Sequence, residues 1–94
     1  MRAAREIFAF QVVPGTDEIL AFTASVGIAR QEASQHLGGL RAMEANIDAG
    51  VAIYKVGLKD PGLSDIVALL NHPEDARDRL IETIERVETI SCAR

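Results

Sequence analysis

The chain has no tryptophan, one tyrosine and three phenylalanines, so any core must be built from Ile, Leu, Val and Ala. Its single cysteine, Cys92, excludes an internal disulfide, and nothing in its cysteine usage points to an oxidising compartment. Basic residues are scarce. The net charge is −4, and the only basic cluster is Arg2 with Arg5, which argues against a nucleic-acid backbone as partner. Long apolar runs are missing too. The longest uncharged stretch, residues 19–29, is too short to span a bilayer and contains Thr23, Ser25 and Gly27. Near the N-terminus Glu6 and Gln11 interrupt the apolar residues, which reads as a strand rather than a secretory leader. The expectation is a cytoplasmic protein without membrane contact.

Signatures of chemistry are also lacking. There are two histidines, His36 and His72, and no His-x-x-x-His, Cys-x-x-Cys or acidic calcium loop, so no metal and no cofactor are expected. His72 stands beside Glu74 and Asp75, a string that helix-capping residues produce without any function. Ser34 and His36 are two apart on the expected helix and point away from each other, and no nucleophile elbow is present. Neither Gly38–Gly39 nor the 57–62 loop has the spacing of a phosphate-binding fingerprint, and Asp60 would repel phosphate.

What is present is ordinary globular composition over 94 residues, 48% hydrophobic and 26% charged, enough for one small domain. Residues 6–13 read as a strand with Phe8, Phe10 and Val12 on one face and Ile7, Ala9 and Val13 on the other. Pro14-Gly15-Thr16-Asp17 marks a turn, and 19–26 is read as the second strand of a hairpin, with a helix as the competing reading. From Ala29 the composition turns to strong helix formers, with Ala33, Leu37, Leu40, Met43 and Ile47 at helical spacing. Gly38–Gly39 weakens this helix by roughly 2 kcal/mol relative to two alanines, so a kink is expected there, with Gly50 as a left-handed stop. Residues 51–58 form the clearest strand. A turn at 59–62, a short strand at 66–70 and a capped helix over 72–87 complete the expectation, with Ala76, Leu80, Ile81, Ile84 and Val87 as the buried stripe. The tail from Thr89 is read as frayed or as a short edge strand.

A slide of about 44 residues lays Phe10 on Tyr54, Val12 on Val56, Phe22 on Ile66 and, with a one-residue slip, Ala33 on Ala76. The chain is therefore read as one α+β domain with pseudo-repeat halves 6–48 and 51–90. The architecture expected is ββα–ββα, a two-layer, four-stranded antiparallel sheet with two helices on one face. The alternative is a ferredoxin-like βαββαβ domain, with 19–37 helical, 40–47 a strand and 89–93 the closing strand. No residue motif carries a family resemblance.

Two strands, 6–13 and 51–58, are apolar on both faces, yet one layer of helices covers only one. An open patch near 400 Å² would contribute on the order of 10 kcal/mol if hidden. That predicts a partner surface, a twofold homodimer in the simplest case, centred on Phe8, Phe10, Val12, Tyr54 and Val56. The expected function is a non-catalytic protein-interaction module: an adaptor, chaperone or assembly factor. The competing reading is a small-ligand-binding or enzymatic domain of the ferredoxin-like dimeric type, with Tyr54, Lys55, Gln11 and His36 as candidate ligand-binding groups.

Overall fold

A computed structural model of the chain describes residues 5–43 and 50–91. The elements follow in the order β1 (Glu6–Gln11), β2 (Leu20–Thr23), α1 (Val26–Met43), β3 (Val51–Leu58), α2 (Leu63–Asn71), a 3-10 turn (Pro73–Asp75), α3 (Ala76–Leu80) and β4 (Ile81–Ile90). The four strands make one antiparallel sheet in the order β2-β1-β3-β4. The expected α+β class with a four-stranded antiparallel sheet is therefore what the chain adopts, and the two doubly apolar strands occupy its centre.

The first half follows the sequence reading closely. Phe10 opposes Ala21 and Gln11 opposes Leu20 in the β1–β2 hairpin. Its turn contains Gly15 at φ +94, a conformation natural to glycine. Ser25 caps α1, its Oγ accepting from the Ile28 N–H at 3.2 Å. The helix runs through Gly38 and Gly39, where the space a Cβ would occupy is open. It buries Ala29, Ala33 and Leu37 at four-residue spacing. Two alanines at the contact let the helix lie close to the sheet, over Phe10, Val51 and Ile53. Leu40 is half-buried and Met43 is 84% exposed, so the stripe ends earlier than its spacing implied. Ile47, the Asp48–Ala49 stop signal, Arg2 and Cys92 lie outside the described residues.

The second half corrects the sequence reading in two places. Residues 66–70, expected as a strand, are the body of α2. Asp65, third residue of that helix, accepts from the Gly62 N–H at 3.1 Å and so closes its first turn. The 72–87 helix stops at Leu80, and the chain turns into the ten-residue strand β4. Ile81, Thr83, Ile84, Val87, Thr89 and Ile90 are all β-branched, and that content outweighs a 3.6-residue spacing that also fits. The second half is thus strand-helix-helix-strand, and Phe22 of a strand has no structural counterpart in Ile66 of a helix. The ferredoxin-like alternative also fails, because 20–23 is a strand and α1 continues as helix to Met43.

β4 pairs along the whole of β3, from Val51 opposite Ile90 to Leu58 opposite Ile81. Gly50, expected as a left-handed cap, has no positive φ. It is small for another reason: a Cβ there would stand 2.7 Å from the Ile90 carbonyl oxygen. The face of the sheet away from α1 is not left open at its centre. Ala9, Ala52, Tyr54 and Val56 are all at most 6% exposed, with Ile7, Leu20, Leu58 and Ile81 packed around them. Ala76 and Leu80 of α3 approach Ile7, Phe22 and Leu58 on this side, and Arg77 donates to the carbonyls of Asp17 (2.8 Å) and Glu18 (3.0 Å). No helix among the described residues is long and apolar enough to cross a membrane.

Candidate functional site

Of the four candidate ligand-binding side chains, the structure brings two together. Gln11 is 3% exposed, its Oε1 accepting from the Ala52 N–H at 2.9 Å and its Nε2 donating to the Tyr54 hydroxyl at 3.3 Å. The amide takes a backbone donor at the end of β1 and ties it to β3, which is what a buried glutamine needs to be tolerated. The guanidinium of Arg86 lies 5.9 Å from the centre of the Tyr54 ring. Lys55 points to the opposite face, between Glu6 (3.9 Å) and Glu85 (3.8 Å). His36 is on α1, where Nε2 donates to the Val12 carbonyl at 2.6 Å and the ring tilts against Phe10 at 5.8 Å. Gln11, Tyr54 and His36 are tied by hydrogen bonds within the chain, and Lys55 stands on the opposite face of the sheet from Gln11 and Tyr54.

His72 closes α2, its N–H bonding to the Ala68 carbonyl, and its exposed ring lies 3.4 Å from Glu74. Among the described residues no three His, Cys, Asp or Glu side chains cluster as a metal site would require. An open cavity of about 160 Å³ lies where α3 meets the sheet, lined by Ile7, Phe22, Leu58, Ala76, Leu80, Ile81 and the Arg77 side chain. That is well below the roughly 300–1,000 Å³ of sites that engulf drug-sized ligands. Its one charged lining group, Arg77, is already committed to backbone carbonyls.

The five residues expected at an interface lie inside or are half-covered within a single chain. Phe10, Tyr54 and Val56 are buried, Phe10 against α1 and the other two on the far side, while Phe8 and Val12 are half-buried. Apolar exposure has moved to the periphery. On α2, Leu63 is 82% exposed, Ile66 41%, Val67 56% and Leu70 79%. Their positions i, i+3, i+4 and i+7 form one continuous stripe, the pattern by which a helix normally faces a core. Here the stripe faces water, and the half-buried residues are Asp65, Ala68 and Leu69. Asp65 explains why the helix sits this way round: its Oδ1 takes Arg79 Nη1 at 3.0 Å while Oδ2 takes Gly62. The Gly62 hydrogen bond and the Arg79 guanidinium hold its carboxyl below the usual aspartate value. The spacing of Leu63, Ile66, Val67 and Leu70 was available in the sequence as the signal for this stripe.

β4 is the second exposed element. It is an edge of the sheet, with every residue from Glu82 to Val87 exposed, including Ile84 and Val87. No protein-family model matches the chain, and no curated protein and no solved structure matches it either.

Proposed function

We propose that this chain is a non-catalytic protein-interaction module, an adaptor, chaperone or assembly factor that works as a small cytoplasmic homodimer. The observation that carries the reading is the outward stripe of α2. Its four side chains place on the order of 400 Å² of apolar surface in water, the scale at which a patch on a soluble protein marks a contact site. The helix is held by Asp65 and Arg79, so the stripe is presented ready-made. An amphipathic helix or a short apolar segment of a partner protein fits it, by the helix-in-groove logic that uses anchors at i, i+3, i+4 and i+7. The polar groups that could serve catalysis are absorbed in packing and backbone bonding, which favours binding over turnover.

The test is affinity capture by the tagged full chain from cells of its source, run beside a Leu63→Asp, Leu70→Asp variant. Both residues are more than three-quarters exposed, so the variant keeps its fold. The reading expects a partner retained by the native chain and lost with the variant, and a molar mass by light scattering of twice 10.2 kDa. Identical capture by both chains, or a single-chain mass at every concentration, would overturn it.

A further inference from the structure

We infer that β4 is the self-association edge: a second copy of this chain pairs with it antiparallel, in one register centred on Ile84, joining two four-stranded sheets into one of eight. This rests on the homodimer in the reading above and names the surface that makes it.

Three observations carry it. The first is the edge itself. β3 takes one side of β4, and the exposed run from Glu82 to Val87 offers unbonded backbone N–H and C=O groups on the other. The second is the residue pattern. Residues opposed across an antiparallel pair share a face, so a twofold pairing must set one residue opposite its own copy. With Ile84 at that centre, it meets its own copy, Thr83 meets Glu85 of the second copy, and Glu82 meets Arg86. The two isoleucines then oppose each other, and the acid opposes the base on both sides of the axis. A centre on Glu85 sets two carboxylates together, and centres on Thr83 or Arg86 set Ile84 against Glu82 or Glu88. Like charges directly opposed are destabilising. A centre on Val87 would oppose Arg86 to Glu88, but Glu88 is already held by Arg30 at 2.9 Å and Val87 stands outside the regular pairing with β3, so the Ile84 centre is the better fit.

The third observation is which charges have been left for this contact. Among the four charged residues of β4, Glu85 pairs with Lys55 at 3.8 Å and Glu88 with Arg30 at 2.9 Å, both within the chain. Among the described residues, no cation stands within ion-pair distance of Glu82 and no carboxylate within that distance of Arg86. The two that lack an opposite charge are the two that meet across the axis. Glu82 and Val87 are also the two β4 residues with no opposite number on β3. The regular stretch between them, Thr83–Arg86, brackets the proposed centre. Charged side chains on an edge usually discourage pairing; this edge carries both signs, placed so that copy complements copy.

The test is charge reversal with light scattering and sedimentation, using Glu82→Arg and Arg86→Glu in the full chain. Each variant alone sets two pairs of like charges across the axis and is expected to dimerise about tenfold more weakly or worse. An equimolar mixture restores Arg opposite Glu at both places and is expected to regain dimer at native strength. That recovery also separates a broken contact from a broken fold. Variants that dimerise as tightly as the native chain, or a mixture no better than its components, would overturn the β4 register while leaving the homodimer standing. A native chain that is monomeric throughout would overturn both.

Discussion

β3 and β4 are neighbours in one sheet, paired from end to end apart from Glu82 and Val87, and they are opposites in burial. β3 has Val51, Ala52, Ile53, Tyr54 and Val56 at 6% exposure or less, a strand buried on both faces. β4 has only Ile81, Glu88 and Ile90 half-buried and the rest exposed. The first is a component of the core; the second is a margin whose side chains are left to meet something else. Burial, more than strand propensity, separates the two, since both are rich in β-branched residues.

The comparison breaks most directly at matched isoleucines. Ile53→Ala empties a fully buried site under α1 and is expected to cost about 2–5 kcal/mol in chemical denaturation. Ile84→Ala on β4 is expected to cost about 1–2 kcal/mol in the isolated chain, since the residue is 36% exposed and leaves no enclosed cavity. Equal losses at the two sites would show that β4 is packed in a way the single chain does not reveal.

Gly50→Ala probes the junction between the strands. Its Cβ would press on the backbone of Ile90, which cannot swing aside as a side chain would, and a loss of about 1–3 kcal/mol in thermal or denaturant unfolding is expected. Tyr54→Phe asks what the buried hydroxyl does. It strands the Gln11 Nε2 donor in a site closed to water, for an expected loss of about 1–2 kcal/mol. A neutral result there would mean that Gln11 is satisfied by its bond to Ala52 alone.

The smallest effect belongs to pH. Asp65 has its carboxyl lowered by the Gly62 N–H and by Arg79, so the folded state favours the ionised form more than the unfolded chain does. Its contribution is present above the ordinary aspartate value, near 4, and is lost as pH falls from there through the lowered folded value. The anchoring of α2 should therefore loosen in acid, seen as faster amide exchange over 63–71, and Asp65→Asn should remove most of that pH dependence. Loosening that begins near neutrality would assign it to some other group.

Much of the interior was readable in the sequence because its signals agree. Strands β1 and β3 are apolar on both faces and bounded by turn residues, and α1 is made of strong helix formers with Ala33 and Leu37 four apart. The periphery misled because its signals conflict. Residues 66–70 are a short apolar run that suits a strand or a helix equally, and the deciding residue was Asp65, placed to cap a helix. Across the α3–β4 junction, Leu80, Ile84 and Val87 keep helical spacing and Glu82 and Arg86 stand four apart as a helical ion pair would, but β-branching prevails in β4. The candidate site followed the same division. Gln11, singled out as the polar member of an apolar strand and as a candidate ligand group, is buried and donates to the Tyr54 hydroxyl, whereas Lys55, matched to it by the apparent repeat, faces the other side. The expected interface was sought on the doubly apolar strands; the chain buries those itself and exposes the stripe of α2 and the edge of β4 instead.

The most direct measurement of the central claim, that β4 is left open for a second copy, is residue-resolved amide hydrogen exchange at low and high protein concentration. The account predicts that the N–H groups of Glu82–Val87 not bonded to β3 become strongly protected as concentration rises, while those of β3 are protected throughout. Exchange of those β4 amides at the rate of an unpaired strand, unchanged at concentrations where light scattering reports a dimer, would contradict it.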